Sequence, residues 1–213
     1  MRILSINCGK AARFRGADEH SAIAKRAVRG KVRVGWLGIE GDEQADLAVH
    51  GGPEKAIHHY PRDHYPFWRE TIGAHPLLDG EGAFGENIAT QGLTEETVCV
   101  GDRFRLGSAL VEVAQGRQPC WKLDHRFDGA KVMGTVVTTR RSGWYYRVLE
   151  EGAAEAGDVF ELVERPWPQW SVARVFGLLI AGDHKRDPAG LDALGELAPL
   201  AEAWRKRRAK LLG

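Results

Sequence analysis

Three cysteines among 213 residues make a sparse and odd set. Cys8, Cys99 and Cys120 lie far apart and form no Cys-x-x-Cys pair. That rules out a disulfide framework and a structural zinc site of closely spaced paired ligands. The scatter fits a reducing cytoplasm. An excess of one charge is also missing: 30 Lys and Arg stand against 29 Asp and Glu, a formal net charge of +1. No global field therefore draws the chain to nucleic acid or to an anionic membrane. No apolar run is long enough to cross a bilayer. Met1–Asn7 reads as a strand and lacks the charged start, apolar middle and cleavage site of a secretory signal. No Gly-x-Gly-x-x-Gly follows a strand, and no cysteine cluster could carry iron–sulfur.

What is present is an ordinary globular composition, 43% hydrophobic and 28% charged, of a size for one large domain or one domain with an appendage. Short β-type runs dominate the first three quarters: Lys31–Val34, Thr97–Val100, Arg103–Leu106, Ala109–Ala114, Tyr145–Leu149 and Val159–Val163. Glycine turns such as Gly101-Asp102 and Gly157-Asp158 separate them, a pattern of sandwiches and barrels. Pro61 and Gly73 bracket a helix over about 62–72, and a second is expected over 132–140. From Ser171 the period becomes helical. Ser171 can cap one helix, Asp187-Pro188 can open another, and Pro199 a third carrying Trp204 and Leu211. Pro166-Trp167-Pro168 reads as a linker, giving a strand-rich unit at 1–165 and a helical region at 171–213. The basic run Arg205–Lys210 reads as a solvated helix end that complements the helix dipole. Trp36, Trp68 and Trp144 read as core or rim packing.

Three segments can carry chemistry. In Arg117-Gln118-Pro119-Cys120-Trp121-Lys122 a thiol sits where a strand leaves the core. Pro119 bends the chain, and cations on either side favour the thiolate that attacks carbon or binds metal. A lone cysteine is also commonly an inert buried one. In His50-Gly51-Gly52-Pro53-Glu54-Lys55 two glycines allow close backbone approach to an anion, with a histidine before them and a lysine after; a tight turn is the plain alternative. In Phe84-Gly85-Glu86-Asn87 the amide could bond a heterocycle edge, or simply serve a turn. Gly41–Asp46 is acidic without calcium-loop spacing and reads as a turn in which Asp46 positions the His50 segment.

In order and spacing these segments resemble the MOSC domain family, named for the C-terminal domain of molybdenum cofactor sulfurase. The likeness is to its stand-alone bacterial branch linked to 6-N-hydroxylaminopurine resistance. It runs through Gly38–Asp46, Val49–Pro53, Lys55-Ala56, His59–Pro61, Phe84–Asn87, Gly101–Phe104, Arg117–Leu123 and Gly143–Val148. Gly116 departs from it, standing where proline is expected. The resemblance implies a mainly β fold of α+β type, a MOSC β-barrel core with a small C-terminal helical region. It implies a molybdenum cofactor of the molybdopterin type, with Cys120 as metal ligand or sulfur carrier. Gly51, Gly52, Lys55, Asn87, Arg117 and Lys122 would bind the cofactor, and His50 or His59 would supply protons. The activity it implies is reduction of small N-hydroxylated compounds, with electrons from a separate reductase and no nucleic-acid or membrane partner. It leaves room for a homodimer. A persulfide carrier acting through Cys120, or a cofactor-binding module without turnover, are the alternatives.

Overall fold

The computed structural model describes residues 1–15, 19–45 and 51–213. Its centre is a mixed eight-stranded sheet. Across the sheet the strands run Phe160–Glu164, Arg103–Leu106, Ala109–Gly116, Trp144–Glu150, Ile57–His59, Ile88–Ala89, Ser5–Cys8 and Arg26–Ala27. Ile57–His59 and Ile88–Ala89 pair in parallel. A three-stranded sheet (Gly152–Ala154, Val32–Gly35, Gly38–Ile39) and a hairpin (Ala12–Arg15 with Glu19–Ser21) flank it.

Alternation sets which face is buried. Phe104 and Leu106 are fully buried while Arg103 and Arg105 turn outward to Glu112, Glu164 and Glu150. The sheet curls into a half-barrel because residues 1–3, upstream of Ser5–Cys8, bond back to the far edge. Ile3 N–H donates to the Asp158 carbonyl at 3.0 Å and Phe160 N–H to the Met1 carbonyl at 2.9 Å.

Six α-helices are described: α1 Tyr65–Ile72, α2 Lys122–Arg126, α3 Val132–Thr139, α4 Val172–Leu179, α5 Pro188–Ala193 and α6 Glu202–Leu212. The expected caps are in place. Ser171 Oγ accepts from Arg174 N–H at 3.2 Å, and Asp187 Oδ1 from Gly190 N–H at 2.7 Å. Helices α4 and α6 share one hydrophobic core with the sheet, through Val172, Phe176 and Trp204. None of the described helices is long and apolar enough to cross a membrane.

Four expectations change. Thr97–Val100 is a turn followed by a single bridge, Cys99 to Ser171. The buried Asp102 carboxylate, held by Arg165 at 2.6 Å, takes the Cys99 N–H and bends the chain. The last helix starts at Glu202 and not at Pro199, because Ala201 N–H is bonded to the Ala114 carbonyl at the sheet. The basic run is solvated only in part: Arg205, Lys206 and Lys210 are exposed, while Arg207 and Arg208 are half-buried. Arg207 Nε donates to the Leu179 carbonyl at 2.5 Å, Arg208 Nε to that of Leu191 at 2.7 Å, and Arg205 to those of Ala198 and Leu200. Arg207 and Arg208 thereby satisfy orphan carbonyls at the ends of α4 and α5. Trp68 and Trp144 are core residues, whereas Trp36 is 53% exposed. Gly116 also acquires a reason: a Cβ there would lie 2.9 Å from the Trp204 ring, so any side chain would push α6 off the sheet.

Candidate functional site

The strand Ala109–Gly116 is buried almost throughout, and its exit carries Arg117 and, past Pro119, Cys120. Leu123 N–H returns to the Cys120 carbonyl at 3.0 Å, so the thiol sits at the turn into α2. It is half-buried and lies between two cavities that share Cys120, Lys55 and Tyr145. The inner one, about 80 Å³ among the described residues, is walled by Lys25, Asp42, His58, Asn87, Arg117 and Lys122. The outer one, about 320 Å³, lies between the Cys120 loop and α6, with Gln115, Trp204, Lys206, Arg207 and Lys210 on its walls.

On one side of the inner cavity the charges cancel. Lys25 Nζ lies 2.5 Å from Asp42, and both side chains are more than nine-tenths buried. Asp42 also accepts from Gly9 N–H at 2.8 Å and from Asn87 Nδ2 at 2.8 Å. Both N–H groups of Asn87 are taken and its Oδ1 is engaged once: Oδ1 accepts from His58 N–H at 2.9 Å and Nδ2 also reaches the Asn7 carbonyl at 3.2 Å. The amide expected to bind a cofactor therefore ties the wall together instead. Glu86 beside it is a buried staple, accepting from Tyr65 Oη at 2.7 Å and from Gly82 and Phe84 N–H.

Arg117 is different. Its side chain is buried, the residue being 7% exposed, and among the described residues it forms no ion pair. Its guanidinium meets the Tyr145 side chain. Burial is the main cause that holds the Tyr145 hydroxyl in its protonated form, its pKa being raised. A guanidinium out of water without a carboxylate is costly unless an anion joins it. Lys122 is also buried but reaches Glu19 at 2.8 Å and the His20 carbonyl at 2.9 Å.

Adjacent histidines part ways because a strand alternates its faces. His59 points into the core. It is fully buried, and its Nδ1 meets Tyr146 Oη and its Nε2 Thr90 Oγ1, both at 3.0 Å. Burial lowers its pKa to about 3. It does not line either cavity, which removes it as the expected proton donor. His58 lines the inner cavity against the Tyr145 ring, with no hydrogen bond to Nε2 among the described residues. Burial, and then the Arg117 charge, push its pKa well below the usual imidazole range. It is a neutral side chain. Sequence reasoning passed over His58; counting the alternation from the core-facing Ile57 and His59 neighbours would not separate them, since the strand is buried on both faces.

His50 and Asp46 lie outside the described residues. Gly52 has φ 94° and accepts from Lys55 N–H at 3.0 Å. It lines a neighbouring hollow with Leu37, Ile39, Asp42 and Gln44, not the cavity of Cys120, and neither does Gly51. The Gly-Gly turn therefore stands beside the site, and Lys55, just after it, reaches in.

Among the described residues no cluster of three or more His, Cys, Asp or Glu side chains is placed to hold a bare metal ion. The donor set does fit an anionic ligand carrying a thiophilic metal: one accessible sulfur, one buried guanidinium with no ion-pair partner among the described residues, and Lys55 between the two cavities.

Comparison with known proteins agrees with this architecture. The family model of the MOSC domain matches residues 46–161. The YflK protein of Bacillus subtilis (strain 168) is 40% identical over 216 residues, covering 99% of this chain and 96% of that protein. A protein of Gibberella moniliformis (strain M3125 / FGSC 7600) named "Reductase" is 43% identical over 161 residues, 75% of this chain but 28% of its own length. The crystal structure of YiiM from Geobacillus stearothermophilus superposes with a TM-score of 0.82 at 35% identity, covering 100% of this chain and 99% of the other.

Proposed function

Because this chain belongs to the MOSC domain family, we propose that it is a molybdenum-cofactor-dependent oxidoreductase that reduces N-hydroxylated compounds, N-hydroxylated purine bases among them. The overall change is R–NHOH plus two electrons and two protons to R–NH2 plus water. The electrons come from a separate reductase, since the chain has neither a dinucleotide fingerprint after a strand nor an iron–sulfur cysteine set. A relative named "Reductase" that carries the matching segment within a much longer chain supports the redox reading.

When bound, the cofactor supplies the two-electron centre that this chain lacks. The chain's own residues do the rest. The Cys120 sulfur holds the metal. Arg117 and Lys55 bind anionic oxygens of the cofactor by charge-assisted hydrogen bonds. Tyr145, held protonated by burial, keeps an O–H for donation into the cavity. The Lys25–Asp42–Asn87 set stiffens the opposite wall without adding net charge. The neutral His58 offers an acceptor. His59 has no part in proton delivery.

The observation that carries this reading is the buried Arg117, with no ion-pair partner among the described residues, on the same cavity wall as a half-buried thiol. The test is turnover of 6-N-hydroxylaminopurine by protein made in a host that synthesises the pterin, with a reductase supplied. Wild type should turn over and Cys120→Ala should not. Efficient turnover with reduced nicotinamide alone, or full activity of Cys120→Ala, would refute the proposal. A persulfide on Cys120 without molybdenum would instead mark a sulfur carrier.

A further inference from the structure

The outer cavity takes no part in the assignments above, apart from sharing Cys120, Lys55 and Tyr145. Two independent features mark it as a built site. The first is Gln115, 2% exposed and lining the cavity. Its Nε2 has a long contact of 3.4 Å to the Gly116 carbonyl, and its Oε1 has no hydrogen-bond partner among the described residues. A buried amide oxygen left unsatisfied is costly unless a ligand donor meets it. The second is the face that α6 turns to the cavity. Ala203, Lys206, Arg207 and Lys210 recur at three- and four-residue spacing and so form one ridge. Arg207 is pinned by the Leu179 carbonyl, and Lys206 is weakly paired with Glu202 at 3.4 Å. No carboxylate lines this cavity among the described residues. Trp204 and Tyr145 supply flat apolar wall between the amide and the cations. The volume, about 320 Å³, lies at the lower end of the roughly 300–1,000 Å³ of small-molecule sites.

We propose that the outer cavity binds the substrate, and that its preferred substrates are phosphorylated: N-hydroxylated purine nucleotides in place of free bases. The Gln115 oxygen accepts from an N–H or O–H donor on the heterocycle near Cys120, and the α6 ridge takes the phosphate. This rests on the reductase reading for the identity of the heterocycle, but the binding site stands or falls separately. A phosphate could also belong to the cofactor's own tail, so the test separates the two sources.

The experiment is isothermal titration of adenosine 5′-monophosphate and adenosine, as product-like probes, into the full-length protein purified with its cofactor. Molybdenum is counted in each sample. Wild type should bind the monophosphate at least about tenfold more tightly than adenosine, because a doubly charged phosphate meets several cations, and the preference should shrink as salt is raised. Lys206→Gln/Lys210→Gln, two exposed changes that leave the core intact, should bring the two ligands to within about twofold while molybdenum content stays at the wild-type level. Gln115→Leu should weaken both ligands alike. Equal affinity of wild type for the two probes overturns the proposal. So does a double variant that loses molybdenum, for then the phosphate on α6 is the cofactor's. Tight monophosphate binding without hydroxylamine reduction would keep the site and sink the reductase reading.

Discussion

The two walls around Cys120 are both rich in charge and use it in opposite ways. The wall built by the sheet and its neighbouring loops is closed on itself: Lys25 meets Asp42, Asp42 meets Asn87 and Gly9, and Asn87 meets His58. The outer cavity beside α6 is lined by no carboxylate among the described residues, and Arg117, buried on the wall of the inner cavity, forms no ion pair among them. Pairing with burial indicates architecture. Burial without pairing indicates a ligand. The same lesson separates His59, with both ring nitrogens satisfied, from His58, with one left over among the described residues.

The contrast can be attacked at its strongest point first. Asp42→Asn keeps the shape and strands a buried Lys25 ammonium, so it should cost about 3–5 kcal/mol of stability, read from urea unfolding. Adding Lys25→Met should restore most of that loss. A loss under about 1 kcal/mol would mean the closed wall is not closed.

A pH comparison probes the histidine pair. His59 is neutral in the folded state down to a pKa of about 3 against an ordinary 6.5. Between those values the unfolded chain binds a proton that the folded chain refuses. The contribution is therefore fully present above about pH 6.5 and is lost as pH falls, by up to about 1.4 kcal/mol per pH unit. From pH 7 to pH 5 wild type should lose about 2 kcal/mol more than His59→Gln. Parallel losses would show that His59 is accessible to protons after all.

Arg117→Met should act in the reverse direction. Without cofactor the protein should gain roughly 1 kcal/mol, because a buried charge with no ion-pair partner among the described residues is removed, and it should no longer retain molybdenum. Destabilisation by this change would show that Arg117 belongs to the paired wall. The smallest effect is expected on α6, where Lys206→Gln and Lys210→Gln should each shift stability by less than about 0.5 kcal/mol.

Much of this was legible in the residues. The period-two alternation in Arg103–Leu106 and the caps at Ser171 and Asp187 are local signals with local causes, and they located elements to within a few residues. So did the order of motifs that placed Cys120 at a strand exit. What could not be read was whom each polar group meets. Asn87 looked like a ligand-binding amide and is consumed by its neighbours. His58 and His59 are chemically identical and adjacent, and only the sheet decides which one faces the cavity. The anchoring of Arg207 and Arg208 was not legible because their partners, the carbonyls of Leu179 and Leu191, lie 28 and 17 residues away. Asp42 and Lys25 meet across a gap of 17 residues in no recognisable motif.

The most direct test of the central claim is X-ray absorption at the molybdenum edge of protein purified with its cofactor, wild type beside Cys120→Ser. A protein-derived sulfur in the metal's coordination, lost in the variant, is the predicted result. An unchanged sulfur shell in the variant, with molybdenum still bound, would contradict it.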